Sequence, residues 1–100
     1  MTRLRISRDA QADLRDIRSY SKASFGVAVS RTYLDGLAAV FGTLRERPMI
    51  GVAREDLGSG VRAIGYRSHR IYYEVAGDVV GILRVLHHAR DINAAFRVPR

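Results

Sequence analysis

The chain has 100 residues, 47% hydrophobic content, no cysteine and a formal net charge of +7. That length holds one compact domain, and that apolar content argues against intrinsic disorder. The absent thiols exclude disulfides, thiolate nucleophiles and Cys-ligated zinc, and no apolar run approaches the ~20 residues that cross a bilayer.

Arg3-Leu4-Arg5-Ile6-Ser7 alternates with period two and predicts a first strand over residues 1–7, with Leu4 and Ile6 inward. Ser7 then offers an N-cap for a helix from Arg8 to about Ser24. Ala10, Leu14, Ile17, Ser21 and Phe25 fall on one stripe of it, with Asp9, Asp13 and Asp16 along one flank. Gly26 breaks the pattern, and a second helix is expected from about Val27 to Glu46, so that residues 8–46 form an antiparallel helical hairpin. Its apolar face is read as Val27, Leu34, Leu37, Ala38, Phe41 and Leu44. Thr32, Gly36, Ala39 and Thr43 form a small, uncharged stripe expected on the opposite side, open to a partner's close approach. Pro48, Gly51 and Gly58-Ser59-Gly60 mark residues 47–60 as a loop. Val61–Ser68, His69–Ala76 and Val79–His87 predict a three-stranded sheet over residues 61–88, with Gly77-Asp78 as a hairpin turn. The last of these strands is apolar on both faces and is expected at the centre. Residues 89–100 read as a basic tail.

The order β-α-α-β-β-β predicts an α+β fold, a small antiparallel sheet with the hairpin packed on one face. No carboxylate lies between Asp56 and Glu74 or between Asp78 and Asp91, so Arg62, Arg67, Arg70, Arg84, His87, His88 and Arg90 have little local neutralisation. Such a surface seeks an anion, an acidic protein or a nucleic acid. Sixteen of the seventeen basic residues are Arg, which suits bidentate phosphate or carboxylate recognition but also follows from GC-rich coding. Strand parity sends Arg84 and His87 to opposite sides unless a bulge intervenes. Arg84, between Leu83 and Val85, needs an acceptor, with Asp56, Glu74 or Asp91 as internal candidates.

Several segments carry a family resemblance in order along the chain. They are A-x-x-D-L-x-x-I-x-x-Y at Ala10 to Tyr20, F-G at Phe25-Gly26, Y-L-x-x-L at Tyr33 to Leu37 and F-x-x-L at Phe41 to Leu44. P-x-x-G at Pro48 to Gly51, R-x-D-L-x-x-G-V-R at Arg54 to Arg62, H-R-I-Y-Y at His69 to Tyr73 and I-L-R-V-L-H-x-x-R-D at Ile82 to Asp91 complete the set. No single piece is specific, but the ordered set resembles the ParE branch of the RelE/ParE toxins of type II toxin–antitoxin systems.

The resemblance implies a cytoplasmic toxin without cofactor or metal, held by a ParD-like antitoxin whose acidic segment folds on binding. ParE-like toxins act on DNA gyrase, whereas RelE-like toxins cut mRNA on the ribosome. For the first, the expected target-binding residues are Arg62, Arg67, Arg84, His87, His88, Arg90, Arg97 and Arg100, with no catalytic group of the chain's own. Direct contact with nucleic acid is compatible with this, as part of the complex with gyrase. For the second, the best constellation is Glu55 or Glu46 as base, Arg62, Arg67 and Arg84 as phosphate clamps and His87 as acid. The lysines and the C-terminal Tyr of RelE-like enzymes are missing, since Lys22 is the only Lys and no Tyr follows Tyr73. That departure favours the gyrase binder, with an inactive binding module as the third possibility. Leu14, Ile17, Thr32, Gly36, Ala39 and Thr43 are the expected antitoxin-docking residues.

Overall fold

A computed structural model describes residues 2–90. The elements run β1 (Arg3–Ile6), α1 (Arg8–Phe25), α2 (Val27–Glu46), β2 (Val52–Ala53), β3 (Val61–Tyr66), β4 (His69–Ala76) and β5 (Val79–His87). One sheet in the order β1-β5-β4-β3-β2 carries the helical hairpin on one face, giving the α+β architecture. The sheet is mixed, because β1 lies parallel to β5 while every other pair is antiparallel. Three expectations need correction, the first being the wholly antiparallel sheet. The loop over residues 47–60 contributes the edge strand β2, and the central strand is β4, with β5 one position away between β1 and β4.

Capping explains the helix bounds. The Ser7 hydroxyl accepts from the Ala10 amide at 3.0 Å, supplying one of the partners a helix start lacks. Gly26, at φ 92°, serves both helices: its amide donates to Lys22 O and its carbonyl accepts from the Ser30 amide. The reversal needs a conformation that other L-residues rarely adopt. Just beyond it the Ser21 and Ser30 hydroxyls meet at 2.7 Å, which holds the two helices close with both polar groups satisfied.

The main core lies between hairpin and sheet, built from Ala10 and Ile17, Leu37, Phe41 and Leu44, and the sheet residues Ile71, Tyr73, Val80, Ile82 and Val85. The buried Tyr73 phenol accepts from the Gly51 amide at 2.8 Å and donates to Pro48 O at 2.7 Å, pinning the chain as it leaves α2. Burial raises its pKa, so it stays protonated. On the opposite face a smaller cluster, Ala63, Tyr72 and Leu86, is covered by Leu57.

The apolar face of α2 is shorter than its sequence pattern. Val27 is 58% exposed and Ala38 is also exposed, while Leu37, Phe41 and Leu44 are buried and Leu34 half-buried. The small-residue stripe does not lie opposite the core. A Cβ at Gly36 would overlap the Tyr66 phenol, so Gly36 is where β3 approaches the helix. Thr32 and Ala39 are exposed and Thr43 is half-buried, with both threonines bonded back to their own helix.

Candidate functional site

The hairpin and the sheet part company at one end. Tyr20 and Phe25 at the end of α1 are 69% and 62% exposed, and Val29 at the start of α2 is 52% exposed. Large apolar side chains scattered singly need no explanation, but these are clustered. Beneath them opens a groove of about 960 Å³. Its roof is formed by Ile17, Tyr20, Ser21 and Phe25 of α1 with Ala28, Val29, Thr32 and Tyr33 of α2. Its floor is the end of the sheet, Tyr66, His69, Val85 and His87, and Asp16, Arg67 and Arg90 also line it.

Polar groups on the floor form a connected set. The Tyr33 hydroxyl accepts from the Ser68 amide at 3.3 Å and lies 2.7 Å from His69 Nδ1. The hydroxyl also lies 3.5 Å from Tyr66 O, and which partner donates in the Tyr33–His69 bond follows from the His69 tautomer. Burial lowers the His69 pKa, helped by the charges of His87 and His88 and opposed by Asp13. Burial likewise raises the Tyr33 pKa. Ring centroids of His69 and His87 lie 5.6 Å apart and those of His87 and His88 4.5 Å apart, so three imidazoles run across the end of β4 and β5. Arg67 occupies the β3–β4 turn at φ 49°, a left-handed conformation unusual outside Gly, Asn and Asp. Its guanidinium lies 5.8 Å from the Tyr66 ring centroid.

The residues singled out from sequence separate into engaged and open groups. Arg84 is clamped by Asp13, Nε to Oδ2 at 2.8 Å and Nη2 to Oδ1 at 2.9 Å. That partner is none of the three carboxylates proposed from sequence. The carboxylate bonds raise the Arg84 pKa further above its usual value. Arg62 donates to the carbonyls of Met49 and Gly51, and Glu55 accepts from the Gly60 amide. Glu46 is exposed at the end of α2. Arg67, His87, His88 and Arg90 are exposed, and among the described residues they make no salt bridge. Of these, Arg67, His87 and Arg90 share the groove, together with the expected docking residues Ile17 and Thr32. Gly36, Ala39 and Thr43 do not line it, and half-buried Leu14 packs against the core. Arg97 and Arg100 lie outside the described residues. Sequence reasoning missed Tyr33, Tyr66, His69 and Asp13. Only Asp13 left a signal, as a carboxylate spaced i, i+4, i+8 with Ile17 and Ser21 on the inward side of α1.

Among the described residues, no group of three or more His, Cys, Asp or Glu is placed to hold a metal, and no helix is long and apolar enough to cross a membrane.

Residues 4–92 match the family model described as the ParE toxin of the type II toxin–antitoxin system parDE. The chain is 39% identical over 90 residues to Toxin ParE1 of Caulobacter vibrioides, covering 90% of this chain and 93% of that protein. It is 30% identical over 93 residues to Toxin ParE1 of Mycobacterium tuberculosis, covering 92% and 95%. Among solved structures it is similar to a chain of the chromosomal ParDE system of P. aeruginosa, with a TM-score of 0.75, 22% identity and coverage of 87% and 96%. A chain of the RelBE2 toxin–antitoxin complex of M. tuberculosis gives a TM-score of 0.58 at 23% identity, covering 87% and 98%. At those identities the structures establish the shared fold.

Proposed function

We propose, from the premise that the chain belongs to the ParE toxin family of type II toxin–antitoxin systems, that it inhibits DNA gyrase by binding and is neutralised by an antitoxin segment seated in the groove. The observation carrying this reading is the contrast between engaged and open groups. Arg84, Arg62 and Glu55, three members of the constellation a ribonuclease would use, are bonded within the fold. Phosphoryl cleavage needs cations and a base aimed at one phosphate, and these point elsewhere. A gyrase poison needs no such set. The topoisomerase cleaves the DNA, and the toxin has only to bind the cleaved state better than the religated one. The exposed Arg67 and Arg90 supply a cationic contact for that complex, with His87 and His88 beside them.

Neutralisation uses the same end of the molecule. An amphipathic segment would place apolar side chains under Tyr20, Phe25 and Val29 and carboxylates beside Arg67 and Arg90. It would cover the cations that the target needs.

The test adds purified toxin to gyrase with ATP and supercoiled plasmid, and in parallel to a translation reaction carrying a reporter mRNA. Accumulation of linear plasmid with intact mRNA is expected. Cuts at codon positions in the mRNA, with the plasmid unaffected, would overturn the proposal.

A further inference from the structure

His87 reaches the groove only because β5 is irregular. From Ala76↔Val79 to Tyr73↔Ile82 the β4–β5 ladder is regular, and it resumes at Tyr72↔Arg84 one residue out of step. Leu83 is the extra residue. Opposed residues share a face, so Val85 and His87 join Ile71 and His69 on the helix side, continuing the face of Ile82. Without the bulge Arg84 would stand opposite Ile71 under the helices, and His87 would point to the far face.

Two side chains from the start of α1 hold that irregularity from the other edge. Strand β1 pairs with β5 as far as Ile6↔Ile82, and the Ser7 amide adds a last bond to Ile82 O at 3.0 Å. There the chain turns away into α1, leaving the edge of β5 without a strand. The Ser7 hydroxyl donates to Leu83 O at 2.9 Å. Asp13 Oδ2 accepts from the Val85 amide at 2.9 Å, while Arg84 grips both carboxylate oxygens. The Asp13 side chain is 8% exposed and that of Arg84 16%, so this cluster is sheltered from water.

We infer that Asp13 is a positioning residue for the groove, its carboxylate standing where β1 would continue, fixing the Leu83 bulge and thereby turning His87 toward His69. The inference rests on the proposed role of the groove only for its consequence in binding; the register itself is independent of that reading. Arg84 is accordingly the strap of this device and orients the carboxylate.

The test compares Asp13→Ala with the same substitution in a chain lacking Leu83. Deleting Leu83 makes β5 regular with residues 84–87 already on their present faces, so the lock becomes unnecessary. In the unaltered protein, nuclear Overhauser contacts between the His69 and His87 rings and between Ile71 and Val85 are expected, with a protected Val85 amide. Asp13→Ala should lose the His69–His87 contact and exchange the Val85 amide at least 100-fold faster, and the Leu83 deletion should restore the contact. A merely stabilising ion pair would not be rescued by shortening the strand. If Asp13→Ala does not fold, recovery of a folded chain with the His69–His87 contact in the deletion background supports the lock. The inference is overturned if Asp13→Ala keeps the contact with Leu83 present, or if the deletion fails to restore it. Antitoxin titration of the unaltered protein reports separately on the groove. Failure of antitoxin to shift groove resonances would sink the functional reading and leave the register result standing.

Discussion

The two ends of the helical hairpin use similar residues to opposite ends. Where α1 begins and α2 finishes, Ala10, Leu37, Phe41 and Leu44 are almost wholly buried against the sheet. Around the Gly26 reversal, Tyr20, Phe25, Val27 and Val29 are all more than half exposed. Periodicity places apolar side chains on a face of a helix, but it carries no information about whether the facing sheet extends far enough to cover them. The first set of side chains supplies core stability, while at the second end the groove leaves large apolar side chains to solvent. Polar chemistry follows the same division. Tyr73 at the closed end has its hydroxyl fully used by Pro48 and Gly51, whereas Tyr33 at the open end holds a turn and an imidazole beside the groove.

Truncation at each end sharpens this contrast most. Leu44→Ala is expected to destabilise the fold by about 2–5 kcal/mol, the usual range for emptying a packed core site. Phe25→Ala should change stability by no more than about 0.5 kcal/mol, as a surface substitution does. Chemical denaturation of both variants measures the difference, and comparable losses would erase the distinction between the ends.

Two glycines of α2 offer a smaller, signed version. A methyl at Gly36 would run into the Tyr66 phenol, whose ring packs on Tyr33, while a methyl at Gly42 meets nothing within 4 Å. Overpacking costs about 1–3 kcal/mol and the helical gain from Gly to Ala is up to ~1 kcal/mol. Gly36→Ala should therefore destabilise by about 1 kcal/mol and Gly42→Ala should stabilise by a similar amount, read from thermal midpoints.

The pH response is the smallest expected effect and belongs to the open end. His69 is depressed below its ordinary value of 6.5, so the unfolded chain takes up a proton first as pH falls. Its contribution to stability is present above about 6.5 and is lost as pH drops from there toward the lower folded value. The slope should stay below the ~1.4 kcal/mol per pH unit of one full proton, and His69→Gln should flatten it. A midpoint that rises on acidification through this window would contradict a half-buried His69 held below its ordinary pKa.

How much of this was legible beforehand divides along the range of the interactions. Strand β1, the Ser7 cap, the Gly26 reversal, the two helices and the three long strands follow from local pattern. Neither the parallel seating of β1 beside β5 nor β2 could be read, because a two-residue strand exists only through its partner β3. At the site, Arg67, His87 and Arg90 were visible as basic residues, and Ile17 as an apolar position. The groove was not, since it is made by elements that diverge in space. Nor was the pairing of Arg84 with Asp13, which joins residues 71 apart. Gly36 shows the same failure in reverse. A small residue read as an open face was small because a tyrosine from the sheet occupies the room.

The central claim is that the open end is a docking surface separable from the fold. The most direct measurement is the affinity of the cognate antitoxin for a Val29→Glu variant, with the thermal midpoint taken on the same preparations. Removing an apolar anchor and adding a charge under the roof should weaken binding at least 30-fold, about 2 kcal/mol, while the midpoint stays within about two degrees. Unchanged affinity at an unchanged midpoint would contradict the account.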